Sequence, residues 1–299
     1  MTTGITDADE RLHPVEDPSP HWSDSLYFNV WDPATNAFAM TRIAVLGNAD
    51  RVTGGMIVWV DGEPVYGYGR ELDAIPPTDW DVMTTDGLTY RMLRSGEAWA
   101  VQLADGDDQA HLEWHGLSPA TSYDAHPSGA LPKAVAWGHY EQSCRVTGDL
   151  TVGGRTIRFD GLGQRDHSWG YRHWAGLHQW HWVTGFVQDG PAFNLFEVHS
   201  HDDTTTVNGF IHTPAGDEYV IGVERALRRE DDGGAAGFEM TLTTESGAAV
   251  RVAGERAGTS VPVRPDPGQP AVVHETPVRL TVDGAPGYGI YEHLVTEFD

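Results

Sequence analysis

Residues Gly161 to Trp174, GLGQRDHSWGYRHW, hold two arginines, two histidines, an aspartate and two tryptophans. Three kinds of chemistry could use such a set. A glycine-rich phosphate cradle is the first, and GLGQRD carries its outline. That reading fails on context: a dinucleotide fingerprint needs a third glycine and a helix opening behind it. Here an aspartate would sit near the phosphate, and DHSWGYRHW is a poor helix start. Metal ligation is the second. His178 and His181 are three apart, and on a strand they point to opposite faces. His199 and His201 are two apart and share a face, so a site there is geometrically possible. Acid–base chemistry is the third. Asp166 and His167 can move protons, and Arg165 and Arg172 supply fixed positive charge. Trp169, Trp174, Trp180 and Trp182 supply apolar walls and π faces.

The elements that would carry these groups read as strands. Along 165–169, alternation puts Arg165, His167 and Trp169 on one side and Asp166 and Ser168 on the other. In WGHYEQSCRV, Glu141 shares a face with His139 and Ser143, and Tyr140 shares one with Gln142. LHQWHWVTGF puts Gln179 and His181 on one face and Trp180, Trp182 and Phe186 on the other. FNLFEVHS places Glu197 with Leu195 and His199. A carboxylate enclosed in an apolar barrel has a raised pKa, which suits a general acid near neutral pH. The competing reading is structural: Arg165 and Asp166 can equally form a buried network that locks strand ends. The tryptophans can be core or pocket wall rather than partners of a substrate.

Around this centre, Asp61-Gly62, Asp86-Gly87, Gly153-Gly154, Asp189-Gly190 and Asp283-Gly284 separate β-rich runs such as GGMIVWV, RTIRFD and PVRLTV. Asp-Gly between such runs is a strong hairpin signal, and long helical periodicity is scarce. An all-β fold of hairpins is expected. VDGEPVYGYGRE, VGGRTIRFDGLGQRD and VDGAPGYGIYEH echo one another as a hairpin followed by Gly-x-Gly, as a duplicated barrel would if its strands bend at equivalent glycines. SYDAHPSGALPKA is rich in Pro, Gly and Ser and lacks alternation. It divides the chain into an N-terminal unit, 1–130, and a C-terminal unit, 131–299, that carries the RDHSWG motif.

Composition narrows the function. The 299 residues carry a formal net charge of −25, from 19 basic and 44 acidic residues. Nucleic acid and anionic membrane surfaces would be repelled, and no run is long and apolar enough for membrane insertion. Lys133 is the only lysine and Cys144 the only cysteine, so Schiff-base chemistry has one candidate and an intrachain disulfide is impossible. The acidic N-terminus lacks the pattern of a secretory signal, and a cytoplasmic protein is expected.

The block 137–174 resembles the core motif of the hydroxyneurosporene synthase (carotenoid 1,2-hydratase) and AttH-like superfamily. Tyr140-Glu141-Gln142 and the Gly-x-Gly-x-Arg-Asp-His-Ser-Trp-Gly-x-Arg run from Gly161 to Arg172 carry the resemblance. HWSDSLYFNVWD (21–32) and GYGIYEHLV (287–295) resemble its terminal segments, with Asp24 where a longer Glu is expected. The resemblance implies two tandem lipocalin-like antiparallel β-barrels. It also implies a lyase or isomerase, that is a hydratase, dehydratase or cyclase, working on an apolar isoprenoid or terpenoid molecule with no metal or other cofactor. On this reading Asp166, His167, Glu141, Tyr140 and His181 are the catalytic candidates. Trp22, Arg165, Trp169, Arg172, Trp174, Trp180, Trp182, Phe196 and Glu197 are the substrate-binding candidates. A buried acid, Asp166 or Glu141 relayed by His167, would protonate an alkene or ionise a tertiary alcohol, with the tryptophan faces stabilising the cation. Two readings stay open beside it: a lipocalin-like carrier of a lipid, steroid or pigment, and a metalloenzyme built on His199 and His201.

Overall fold

The computed structural model describes residues 4–75, 81–264 and 269–296. The described chain is built of strands, with two single-turn 3-10 helices at Gly47–Ala49 and Trp174–Gly176. The first eleven strands are β1 (Trp22–Asp32), β2 (Ala37–Leu46), β3 (Arg51–Val60), β4 (Glu63–Leu72), β5 (Val82–Thr84), β6 (Leu88–Arg94), β7 (Ala98–Asp105), β8 (Asp108–Gly116), β9 (Thr121–Ser122), β10 (Gly138–Val152) and β11 (Arg155–Tyr171). They form one sheet in the order β4-β3-β2-β1-β11-β10-β8-β7-β6-β5, with β9 on β10. This sheet is a curled half-barrel.

The remaining strands are β12 (Leu177–Val187), β13 (Ala192–Ser200), β14 (Thr205–Thr213), β15 (Gly216–Arg229), β16 (Ala235–Thr244), β17 (Ala249–Arg256), β18 (Val261–Val263), β19 (Ala271–Val282) and β20 (Ala285–Thr296). Eight of them close into a barrel, because β17 at one end of the order pairs with β19 near the other. The expected fold of two lipocalin-like antiparallel β-barrels is the observed one, with one barrel closed and the other a curled half-barrel.

Local chemistry explains the hairpins. Asp61-Gly62, Gly153-Gly154 and Asp283-Gly284 all hold two successive positive φ angles. That is the backbone of a type I′ turn, which Asp-Gly and Gly-Gly adopt at low cost and whose twist suits antiparallel strands. The glycine echo has a counterpart in two of its three places. A side chain at Gly163 would overlap the carbonyl oxygen of Asn29 on β1, and one at Gly289 would overlap that of Thr184 on β12. Both glycines thus sit where a neighbouring strand's backbone approaches too closely for a side chain. Gly67 and Gly69, the third instance, have open space around them.

The two compact units run differently from the halves 1–130 and 131–299. One comprises 2–122 with 136–172; the other comprises 123–135 with 173–299. The reason is pairing. β11 is hydrogen-bonded to β10 on one edge and to β1 on the other, so the strands bearing the RDHSWG motif belong to the first sheet. The Pro/Gly-rich stretch joins the second unit, where Asn208 Nδ2 donates to the carbonyl of Gly129 at 2.8 Å and the Tyr123 hydroxyl donates to Asn194.

Each unit has its own apolar core. In the first, Leu26, Phe28, Val58, Trp99, Leu112, Trp114, Cys144 and Phe159 pack together. In the second, Val183, Phe193, Leu195, Phe238, Met240, Leu242 and Tyr291 do so. Burial pushes the Cys144 thiol up to about 12, so it is a small apolar core group rather than a nucleophile.

Candidate active site

The register of β1, β11 and β10 sets the site. Leu26, His167 and Tyr140 stand side by side across the three strands, as do Phe28, Arg165 and Gln142, and Asp24 lies opposite Trp169. Paired residues in an antiparallel ladder share a face. This face also bears Val30, Cys144 and Val146, so it looks into the core of the first unit. Five polar side chains are therefore aimed into an apolar interior, where each must find partners.

They find them in one chain of bonds. Asp24 Oδ1 lies 2.6 Å from His167 Nε2. His167 Nδ1 lies 3.3 Å from the Tyr140 hydroxyl, which accepts from Arg165 Nη1 at 3.1 Å. Arg165 Nε donates to Gln142 Oε1 at 2.6 Å, and Gln142 is itself tied to the carbonyls of Gly96 and Ser118. The segment before β1 completes the chain. Glu10 takes Arg165 on both oxygens, at 2.8 and 3.2 Å, and accepts from the Trp99 indole at 2.9 Å. The backbone N–H of His13 donates to Asp24 Oδ2 at 2.7 Å, with the ring Nδ1 at 3.0 Å from the same oxygen. The His13 ring lies flat on Trp169, with centroids 3.9 Å apart.

Charge follows geometry. Burial pushes the Asp24 carboxyl up, but the His167 charge and the bonds from His13 and His167 outweigh it and pull it down to about 2. Burial likewise raises Glu10, and the charge and bonds of Arg165 with the Trp99 bond overcome it, leaving the carboxyl below its ordinary value. Tyr140, wholly buried, is pushed well above the usual phenol range by burial, against the pull of Arg165. At neutral pH the cluster thus holds two carboxylates, one guanidinium and a protonated phenol. An ionised Asp24 can only accept, so a neutral His167 ring carries its proton on Nε2 and offers Nδ1 to the Tyr140 O–H.

Asp166 and Glu141, the expected acids, stand on the opposite face of the sheet. Asp166 pairs in register with Tyr27 and Glu141. Alternation alone keeps both away from His167 on this strand pair, so the relay runs to Asp24 instead. On that second face Glu141 accepts from Gln164 Nε2 at 2.7 Å and lies 3.0 Å from His139 Nε2. His139 Nδ1 is 2.7 Å from Ser168 Oγ, and Arg172 donates to Ser25 Oγ at 2.7 Å. This is a buried polar network whose glutamate oxygens and histidine nitrogens all have partners. It is not the Arg165–Asp166 network that the sequence suggested, because Arg165 pairs with Glu10 on the other face. Trp22 shares the core-facing side with Asp24 and meets Trp137 edge to face at 5.4 Å.

The remaining candidates belong to the second unit. His181 and Glu197 lie opposite each other on the core-facing side of the closed barrel. His181 Nδ1 is 3.0 Å from the Tyr291 hydroxyl, its ring stacks on His293 at 4.6 Å, and its Nε2 has no partner among the described residues. Burial, with the charges of Arg225, His293 and His199, holds His181 far below the usual histidine value. Burial and Arg229 bring His293 down to about 3. These rings are neutral at physiological pH, so His181 is not an acid there. Glu197 binds Arg225 at 2.8 Å and His199 at 2.9 Å. Trp180, Trp182 and Phe196 occupy the barrel face turned away from its core. Trp180 meets Trp174 and Phe196 edge to face and donates to Glu292 at 2.6 Å.

His13, Asp24 and His167 each offer a ligand atom within 4.8 Å of the others. Two imidazoles and a carboxylate suit a divalent transition metal, so these three residues are the donor set a cation would use. His199 and His201 are differently engaged. His199 bonds Glu197 and Thr205, and His201 Nε2 lies 3.3 Å from the Ala175 carbonyl.

Glu10, His13 and Asp24 were not among the site residues read from the sequence. One signal was available: an Arg and a His on the core face of one strand require carboxylates, and the acidic N-terminal segment supplies them.

The chain belongs to a family described as a domain of unknown function, DUF7064, whose profile matches residues 6–296. No curated protein matches it. Its fold is similar to that of an AttH-type protein from Nitrosomonas europaea (TM-score 0.70, 15% identity, 92% of each chain covered). It is also similar to kievitone hydratase from Nectria haematococca (TM-score 0.66, 12% identity, 98% of this chain and 95% of the other). A third structure is CghA with Sch210972 (TM-score 0.65, 14% identity, 94% of this chain and 90% of the other). These likenesses show that the fold is shared with an AttH-type protein, as the resemblance implied. The hydroxyneurosporene synthase part has no counterpart among the three.

Proposed function

We propose that this member of the family is an acid–base enzyme, a hydro-lyase or an isomerase or cyclase, acting on an apolar small molecule of isoprenoid or terpenoid type. One observation carries the reading: Tyr140, His167 and Asp24 form a continuous hydrogen-bonded relay inside an apolar core. A structural network there would need only to pair Arg165. Glu10 and Gln142 already do so, yet a tyrosine, two histidines and a second carboxylate are added at the cost of burying them.

The relay suits proton transfer. Asp24 fixes the tautomer of His167, as the carboxylate does in a catalytic triad. His167 Nδ1 is thereby left as acceptor for the Tyr140 proton, and Arg165 stands beside the oxygen where negative charge would develop. If Tyr140 gives that proton to an alkene instead, or to the hydroxyl of a tertiary alcohol, which then leaves as water, a phenolate remains beside Arg165 and the substrate becomes a carbocation. Removing a neighbouring proton or adding water completes an isomerisation, a dehydration or a hydration. The side chains suffice for these steps, which is the sense in which the activity is proposed to need no cofactor. A kievitone hydratase among the proteins of this fold supports the class of reaction by analogy. A reducing, cytoplasmic setting suits the single buried thiol of Cys144.

The test is a panel of isoprenoid alkenes and tertiary alcohols incubated with the protein in deuterated water. Incorporation of deuterium, or a mass change of 18 units, is expected for at least one compound. No exchange on any compound, together with a co-purifying lipid that native mass spectrometry shows unchanged, would instead assign the protein to carriage.

A further inference from the structure

We infer that a cavity in the first unit, walled by the β6–β7 hairpin and the segment after β8, binds an uncharged apolar alcohol, and that the Gln142 amide links its occupant to Arg165. The inference stands apart from the acid–base reading: it concerns where a ligand sits, whatever then happens to it.

The walls come first. The cavity has a volume of about 640 Å³, and small-molecule sites run from roughly 300 to 1,000 Å³. Leu93, Ala98, Leu117 and Pro119 give it apolar sides, and Gln142 lies at its floor. Leu93 is 46% exposed and Leu117 is 42% exposed. Among the described residues five large apolar side chains are exposed, and two of the five converge here. Single exposed apolar residues are ordinary, whereas a concave group of them marks a binding groove.

The shape is built in. The Gly116 N–H donates to the Glu97 carbonyl at 2.8 Å, and the Leu117 N–H donates to the Ser143 carbonyl at 2.9 Å. The two walls are thus tied to each other and to β10. Ser95 Oγ donates to Asp7 at 2.6 Å, which pins the hairpin to the N-terminal segment. A side chain at Gly116 would overlap the Gln142 amide, so glycine there leaves the amide room to reach both walls.

The floor sets the polarity of the ligand. Gln142 Nε2 donates to the carbonyl of Gly96 at 2.9 Å and to that of Ser118 at 2.6 Å. An amide nitrogen has two hydrogens, and both are in use. A carbonyl oxygen has two lone pairs, so those of Gly96 and Ser118 each keep one for a ligand. Both residues are half-buried and open to the cavity. The floor therefore accepts. A hydroxyl fits it and a carboxylate does not; the formal net charge of −25 also disfavours an anion. Glu97, the acid on the rim, is already paired with Arg94 at 2.7 Å, which favours an uncharged ligand over a cation.

The same amide faces the relay. Its Oε1 accepts from Arg165 Nε at 2.6 Å, and Arg165 Nη1 donates to the Tyr140 hydroxyl. A ligand hydroxyl that competes for the Gly96 or Ser118 carbonyl loosens one end of the amide and shifts the other, where Arg165 is held. The occupant is felt at Arg165 without touching it.

The test is an NMR titration of the full-length protein, labelled in leucine methyl groups and arginine nitrogen, with geraniol as the probe. The Leu93 and Leu117 methyl signals are expected to shift along one saturable curve, and the Arg165 Nε–H signal to shift along the same curve. Leu93→Asp and Leu117→Asp, both at exposed positions, should each weaken binding roughly tenfold. The hydrocarbon that lacks only the hydroxyl should bind roughly fivefold more weakly, and geranic acid should not saturate the site. Methyl signals that stay unmoved, or aspartate variants that bind geraniol as tightly as wild type, refute the site. A hydrocarbon or an acid that binds as tightly as the alcohol refutes the ligand class. A saturable methyl curve with an unmoved Arg165 signal refutes the link through Gln142. None of these outcomes requires turnover, so failure here leaves the acid–base reading standing, and a panel without deuterium exchange leaves the site standing.

Discussion

Replacing Asp24 by Asn removes a charge while keeping the shape of the side chain. In the native protein its oxygens face His167 Nε2, His13 Nδ1 and the His13 backbone N–H. An amide has only one accepting atom, so at least one imidazole must turn over its tautomer or lose its bond. If His167 turns, its Nδ1 becomes a donor and the Tyr140 bond is lost. For catalysis the cost should approach that of a wrongly held triad histidine, roughly 10³- to 10⁴-fold in kcat. For stability the effect depends on pH. The folded carboxyl titrates at about 2 against 3.8 when unfolded, a difference of nearly two units, or about 2 kcal/mol. A depressed carboxyl stabilises above its unfolded value and loses that contribution as pH falls toward the folded one. Urea unfolding of both proteins should therefore show the wild-type advantage narrowing by about 2 kcal/mol between pH 5 and pH 2. An advantage that stays constant across this window would refute the reasoning, because Asp24 would then not be an ionised partner of the two histidines.

Other consequences can be checked on the same preparations. Glu10→Gln leaves the Arg165 guanidinium buried beside neutral partners; breaking such a pair costs about 3–5 kcal/mol, and a fall in Tm on the order of 10 °C is expected by calorimetry. Gly138→Ala forces the Trp169 indole aside, so a loss of about 1–3 kcal/mol should come with weakened burial of the His13 ring, read by faster diethylpyrocarbonate modification. His293, held at about 3, stays neutral while the unfolded chain takes up a proton below its ordinary value of 6.5, so folding stability should drop as pH falls from about 6.5 to 3. His293→Asn should flatten that dependence, and an unchanged slope would show that His293 is not the group responsible.

Much of the local geometry could be read from the chain alone. Alternation separated Arg165, His167 and Trp169 from Asp166 and Ser168, and Tyr140 from Glu141, because a strand's two-residue period is a local property. The hairpins were visible for the same reason: the positive φ angles at Asp61-Gly62 and Asp283-Gly284 need residues that tolerate them. Partner choice was not legible. Asp24 is 143 residues from His167, and Glu10 is 155 residues from Arg165. Only the order β1-β11-β10 brings them together, and no spacing in the sequence encodes that order. The relay was therefore routed to Asp166 and Glu141, the nearest carboxylates along the chain, which the pleat turns the other way. The same limit moved β10 and β11 into the first unit. The tryptophans were read as a set, whereas Trp169 supports His13 and Trp180 bonds Glu292 on another sheet.

The central claim is that the buried relay of Asp24, His167 and Tyr140 supports proton transfer on an apolar substrate. It is tested most directly by measuring deuterium incorporation by wild type and His167→Gln, side by side, on a compound the wild type exchanges. The account predicts loss of at least 100-fold in the variant with the fold intact by circular dichroism. Equal incorporation by the two proteins would contradict it.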